Sequence, residues 1–368
     1  MKLRYKILTG VAGVLVLGIA TLMTVTAYDS ACPTATASEA GADSMRALVP
    51  RCYGTNGLYL EHIAKPVPEE GQVLIRIHAT SVNPADWYRT SGQPYLTRLA
   101  GGIGAPSESR AGFDMSGTVE AVGPKVTRFK RGDEVFGGAW GAMADYAIGR
   151  EQGGIVLKPA NLSFEEAAAM PIAAITALQG LRDNGHVRAG HKVLINGASG
   201  GVGTYAVQIA KALGAEVTGV CSTRNVEMVR SLGADHVVDY TKEDFTAANE
   251  KYDVILDNVG NHSYYALSDV TTPTGYIVSV GGSKANPWLG PIGRVIVSRP
   301  IAGMFVDQQL PFFMAKVSKD DMEFLANLVR EGKLRTIIDR TFPLEQTGAA
   351  LDYIGGGRAR GKVVVTVH

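Results

Sequence analysis

The chain has 368 residues, with 36 Lys plus Arg against 35 Asp plus Glu, a formal net charge of +1. That balance excludes binding that works by neutralising many phosphates, so nucleic acid is not an expected partner. Apolar residues at 46% exclude a disordered chain, and three cysteines (Cys32, Cys52, Cys221) are too few for a disulfide scaffold or a four-cysteine zinc lobe.

Lys2, Arg4 and Lys6 form a basic start over 1–6, followed by the uncharged run Ile7 to Ala27. A helix of that length spans roughly 30 Å, so the pattern predicts one transmembrane helix over 7–27 and a single-pass membrane protein, with cleavage near Ala35-Thr36-Ala37 as the open alternative. The small polar stretch 28–44 reads as a linker. The positive-inside rule would send the remainder outside the cell, whereas the cofactor inferred below is supplied inside. The side of the membrane therefore stays open.

From residue 45 onward the pattern is globular. Val73 to Ala79 alternates as a half-buried strand. Short strands follow around 117–122, 134–136 and 143–148, divided by Gly and Asp turns, which predicts a mostly β unit. The Gly-, Pro- and Ser-rich stretch Thr90 to Arg110 is long enough to form a lid or pocket wall.

The pattern changes near Pro171. The apolar strand Lys192-Val-Leu-Ile195 runs into Asn196-Gly-Ala-Ser-Gly-Gly-Val-Gly203 and then an apolar helical face at Ala206, Ile209, Ala210 and Leu213. Strand, glycine turn and helix make a βαβ unit with a dinucleotide fingerprint. Gly197, Ser199, Gly200, Gly201, Val202 and Gly203 are candidate cofactor residues, with phosphates on the helix N-terminus. The next strand ends Val220-Cys-Ser-Thr-Arg-Asn225, with no acid to hold ribose hydroxyls. Ser222 and Arg224 instead suit a 2′-phosphate, which predicts NADPH. Strands at 254–256 and 276–280 end in Asn258, Val259 and Gly281, candidate walls for the nicotinamide half. An amphipathic helix follows over 320–330, and the chain closes with a strand beginning near Lys362, a residue that reaches either the cofactor or solvent from the loop–strand junction. The whole predicts an α/β protein.

Ser81-Val-Asn-Pro-Ala-Asp86, Ala111 to Gly123, Pro171 to Leu178, Asn196 to Gly203, Leu232-Gly-Ala-Asp235 with Asp239-Tyr240, and Gly361-Lys-Val-Val-Val365 together resemble the medium-chain dehydrogenase/reductase superfamily. Within it, the chain is most similar to the zinc-independent quinone oxidoreductases and enone reductases. The resemblance covers 45–368. It implies a GroES-like β domain over 45–170 and 304–368, a Rossmann domain over 171–303, and a homodimer. It also implies that Asn83 and Asp86 are catalytic, Thr176 lies beside the nicotinamide, and Tyr240 joins the adenine-side phosphate pocket. Where zinc-dependent relatives carry Cys, His and Cys ligands, this chain has Asn83, Phe113 and the stretch Ile172 to Ala174, so no metal is expected. The implied reaction is hydride transfer from NADPH to a small lipophilic quinone or α,β-unsaturated carbonyl. Two alternatives stay open: an alcohol dehydrogenase or carbonyl reductase of the same fold, and a non-catalytic membrane-tethered nucleotide-binding protein.

Overall fold

A computed structural model of the chain describes residues 18, 20–34, 41, 43–282 and 286–368. A small antiparallel pair, β1 (Ser44–Pro50) and β2 (Leu58–Ala64), precedes the first large sheet. That sheet takes β3 (Gln72–Val82), β4 (Asp114–Val122), β5 (Glu134–Gly138), β6 (Tyr146–Arg150) and β7 (Ile155–Leu157). Alternation explains its core: Val73, Ile75 and Ile77 of β3 are fully buried, packed with Met115 and Val119 of β4.

The second sheet is parallel, with β8 (Lys192–Asn196), β9 (Glu216–Cys221), β10 (His236–Asp239), β11 (Tyr252–Asp257) and β12 (Thr271–Ser279) in the order β10-β9-β8-β11-β12. Its central strands β8 and β11 are apolar runs, buried at Val193 to Ile195 and Val254 to Leu256, because helices cover both faces. The order reverses between β8 and β11, which opens a crevice at their carboxyl ends.

The chain then returns. β13 (Ile338–Pro343) and β14 (Lys362–Thr366) extend the first sheet, with Val363 to Thr366 antiparallel to Ala79 to Val82. The helix Lys319–Arg330 buries Met322, Leu325 and Val329 in one core that joins Phe136 and Val156 of the first sheet to Val193 and Ile195 of the parallel sheet. Its apolar stripe needed a partner, and the helices over that sheet supply one. The two units touch where the loop before β14 meets the glycine turn: Gly361 N–H donates to Ser199 O at 2.9 Å.

The expectation of a transmembrane helix over 7–27 is corrected, and with it the membrane anchorage and single-pass localisation. Among the described residues no helix is long and apolar enough to cross a membrane. Of that stretch, residue 18 and residues 20–27 are helical; 7–17 and 19 lie outside the described residues. The physical reason lies at the described end, which packs on protein. Thr26 is 2% exposed, and the guanidinium of buried Arg98 donates to the carbonyls of Thr26 (3.3 Å) and Tyr28 (3.1 Å) and to Asp29 Oδ1 (2.8 Å). The expected linker is likewise fastened: Ser30 N–H donates to Gly104 O, and a disulfide joins Cys32 to Cys52. Composition alone showed neither, because both depend on residues far along the chain.

Candidate active site

The nucleotide crevice begins where β8 ends. Gly197 turns the chain at φ 78°, in the left-handed region that favours glycine. Gly200 then caps the helix Gly201–Ala212, leaving the first N–H groups of that helix facing the crevice. Gly203 is required for a different reason: a Cβ there would lie 2.1 Å from Gly197 O and 2.7 Å from Ala198 Cα. Val202, half-buried, packs behind the turn.

The adenine side is formed by the turn after β9. Asn225 Nδ2 donates to Ser199 Oγ (3.0 Å) and Ser222 Oγ (3.2 Å), while its buried Oδ1 has no partner. Arg224 is exposed and donates to Arg358 O at 2.9 Å, and Tyr240 stands 62% exposed at the end of β10. On the nicotinamide side, Asn258 Nδ2 donates to Asn196 O (3.0 Å) and its buried Oδ1 is again unpartnered. Asp257 holds this turn in place: it accepts from Asn196 Nδ2 (2.9 Å), Gly260 N–H (2.9 Å) and Arg294 Nη2 (2.7 Å). Gly281 is pressed against it, since a Cβ there would lie 2.0 Å from Asn258 O. Buried amide oxygens without donors are rare in a finished structure. Two of them in one glycine-floored crevice fit a dinucleotide bearing its own N–H and O–H donors. The missing acid at the end of β9 and the presence of Arg224 fit NADPH.

Thr176 is 8% exposed, and its hydroxyl donates back to Ile172 O at 2.7 Å, leaving the oxygen only as an acceptor. The loop expected to form a lid or pocket wall is fastened to the segment that follows β12. Tyr95 N–H donates to Pro287 O, and the Tyr95 ring meets Trp288 edge-on at 5.0 Å.

Beneath the crevice lies a buried polar cluster that sequence reading found only in part. Asn83 ends β3's run and opens the helix Pro84–Ser91. Asp86 Oδ2 accepts from Asn83 N–H at 2.8 Å, so this carboxyl braces the turn. Burial raises its pKa to about 6; the Asn83 hydrogen bond and the Lys362 ammonium oppose the rise. The centre of the cluster is Asp114, wholly buried at the start of β4. It accepts from Ser81 Oγ (2.9 Å), Asn83 Nδ2 (2.8 Å) and Ile172 N–H (3.0 Å). Lys362, 3% exposed, sits across it, its Nζ 2.6 Å from Asn83 Oδ1 and 3.6 Å from Asp114 Oδ2. Burial pushes the Lys362 pKa down, and the charges of Asp114 and Asp86 pull it back up. The lysine stem passes the glycine turn, with Cδ 3.2 Å from where a Cβ on Gly201 would be. Its head, however, faces Asn83. The one signal for Asp114 was an acid inside the otherwise apolar strand Phe113-Asp-Met-Ser-Gly117.

A zinc ion does not fit here. Asn83 turns an N–H towards Asp114, Phe113 stacks edge-on against Trp140, and Ile172 offers only its backbone. A buried ammonium at the same place would repel a second cation. Among the described residues no group of three His, Cys, Asp or Glu could hold a metal.

Residues 69–162 match the alcohol dehydrogenase GroES-like domain and 232–365 match the zinc-binding dehydrogenase family. A chloroplast envelope quinone oxidoreductase homolog of Arabidopsis thaliana is 34% identical over 340 residues, covering 87% of this chain and 98% of that protein. The chain belongs to the medium-chain dehydrogenase/reductase superfamily, among its zinc-independent quinone-oxidoreductase-like members. A trans-enoyl reductase of Aspergillus terreus is also 34% identical, over 324 residues, covering 80% of this chain and 86% of its own. The quinone oxidoreductase structure from Coxiella burnetii superposes with a TM-score of 0.75 at 31% identity, covering 88% of this chain and all of that one. Membership makes the chain an oxidoreductase. It also accounts for the architecture, a GroES-like β unit over a Rossmann-like sheet.

Proposed function

We propose that this protein is a zinc-independent, NADPH-dependent reductase of quinones or α,β-unsaturated carbonyls. The observation that carries the reading is the cluster of Asn83, Asp114 and Lys362, which puts an amide donor and a buried positive charge at the place of the metal in zinc-dependent relatives. NADPH, when bound, supplies the hydride. The residues of this chain hold and shape the site around it. Gly200 lets backbone approach the pyrophosphate, Gly203 lets the turn pack against its helix, and Arg224 with Ser222 recognises the 2′-phosphate. Asn258 Oδ1 accepts from the nicotinamide side, and Thr176 walls it. Asn83 donates to the acceptor's oxygen, where negative charge gathers once the electron-poor carbon has been reduced. Asp86, titrating near pH 6, fixes the Asn83 turn and stores a proton close to the cleft.

Quinones and enones suit such a site because their charge develops on an oxygen remote from the attacked carbon and needs only a hydrogen-bond donor. A simple alcohol would need its alkoxide stabilised by a Lewis acid. The test is NADPH oxidation by the full chain in excess chelator, with a 1,4-quinone and an enone as separate acceptors. Turnover of at least one, undiminished by the chelator, is expected. Tight NADPH binding without turnover of either acceptor would overturn the reading in favour of a nucleotide-binding protein.

A further inference from the structure

We propose that Lys362 and Asp114 are positioning residues that lock the Asn83 amide in one orientation, so that an N–H and never the carbonyl is presented to the acceptor's oxygen. The inference rests on the reductase reading above and adds how its donor is set.

A free asparagine amide flips easily, because its oxygen and nitrogen are alike in size. Here the chemistry of its two neighbours forbids the flip. An ammonium only donates, and an ionised carboxylate only accepts. Lys362 Nζ lies 2.6 Å from Asn83 Oδ1, and Asp114 Oδ2 lies 2.8 Å from Asn83 Nδ2. Turning the amide over would set N–H against N–H and oxygen against oxygen. Bulk solvent does little to soften that mismatch, since Asn83 is 5%, Lys362 3% and Asp114 0% exposed. The carboxylate is itself held from two further segments, by the Ser81 hydroxyl and the Ile172 N–H. Asn83 Nδ2 has two hydrogens; Asp114 takes one, and the other serves the acceptor.

The ammonium also draws electron density through Oδ1, which makes the remaining N–H a stronger donor in this low-dielectric setting. A zinc enzyme sets its cation directly against the substrate oxygen. In this chain the cation stands one amide behind it. Lys362 is thereby separated from a role in phosphate binding, which its stem beside Gly201 would otherwise suggest.

Two measurements on the full chain test this. Removing Lys362 alone leaves Asp114 buried without its counter-ion, so the decisive variant is Lys362→Met with Asp114→Asn, which removes both charges together. Hydrogen exchange of the Asn83 side-chain amide, followed by ¹⁵N NMR and assigned by its disappearance in Asn83→Asp, is expected to be slow in the native protein. It should quicken at least about tenfold in the double variant, as a lost local protection. With a turned-over acceptor, kcat should fall roughly 10- to 100-fold while KM for NADPH stays within about twofold. Adding Asn83→Leu to the double variant should cost little more, because the three side chains act as one unit. An unchanged exchange rate would overturn the lock, as would a kcat within about twofold of native, or a loss confined to KM for NADPH. If the native enzyme reduces neither acceptor, the functional reading fails on its own, and the exchange measurement still decides the lock.

Discussion

The nucleotide crevice around Gly200 is assembled from backbone, whereas the cluster beneath Asn83 is assembled from side chains. In the crevice, function follows from atoms that are missing: no Cβ at Gly203, no acid after β9, no partner for Asn225 Oδ1 or Asn258 Oδ1. In the cluster every strong group is engaged, and Asp114 alone accepts three hydrogen bonds. One half of the cleft offers acceptors without donors; the other has its charges paired beforehand and keeps one Asn83 N–H for the acceptor. The two halves should therefore respond differently to mutation.

The largest effect is expected in the cluster. Asp114→Leu strands Lys362 and one Asn83 N–H in the interior and should lower unfolding free energy by about 3–5 kcal/mol. Urea unfolding would measure it, and the NADPH affinity of the molecules still folded should change little. Asp86 comes next. Its folded pKa, about 6, lies above the ordinary value of 3.8, so the native state holds a proton the unfolded chain has released. Its contribution is present below about pH 4 and lost as pH rises through 6, on the order of 2–3 kcal/mol. Asp86→Asn should flatten stability between pH 4 and 6, as read by thermal melts across that window. A native-minus-variant stability difference that does not fall between pH 4 and 6 would contradict the raised pKa.

In the crevice the expected losses are of binding. Gly203→Ala forces Cβ against the Gly197 carbonyl, 2.1 Å away. It should cost about 1–3 kcal/mol in stability and weaken NADPH at least tenfold by titration. Smallest in stability is Arg224→Ala, an exposed change within about 0.5 kcal/mol. Its signature is selectivity: the NADPH-to-NADH preference should fall about tenfold, the worth of one charge-assisted contact. Equal weakening of both cofactors would show that Arg224 does not read the 2′-phosphate.

The same contrast explains what could be read in advance. The glycine turn was legible because Asn196 to Gly203 are consecutive and their spacing has one mechanical meaning. The central strands of both sheets were legible from periodicity, whereas the pairing of the last strand with β3 was not, because it joins residues far apart in the chain. The cluster was legible only at Asn83 and Asp86, three residues apart. Asp114 and the head of Lys362 were not, because their meaning depends on contacts 31 and 279 residues away along the chain. The N-terminal stretch misled for a related reason. Hydropathy registers an apolar run but carries no sign of Arg98, whose guanidinium reaches back 72 residues to the Thr26 carbonyl.

The fastening of that N-terminal stretch bears on how the protein is handled. Trimming the chain to start at 45, the first residue of the family resemblance, would remove Cys32 and leave Cys52 a lone thiol. It would also delete Asp29, the acidic partner of the Arg98 guanidinium, whose faces lie on Tyr53 and Tyr95. Because Tyr95 also touches the loop at 287–288, a shortened protein would carry that disturbance into the segment that follows β12. A poor preparation of such a fragment would then reflect where it was cut and say nothing about the enzyme.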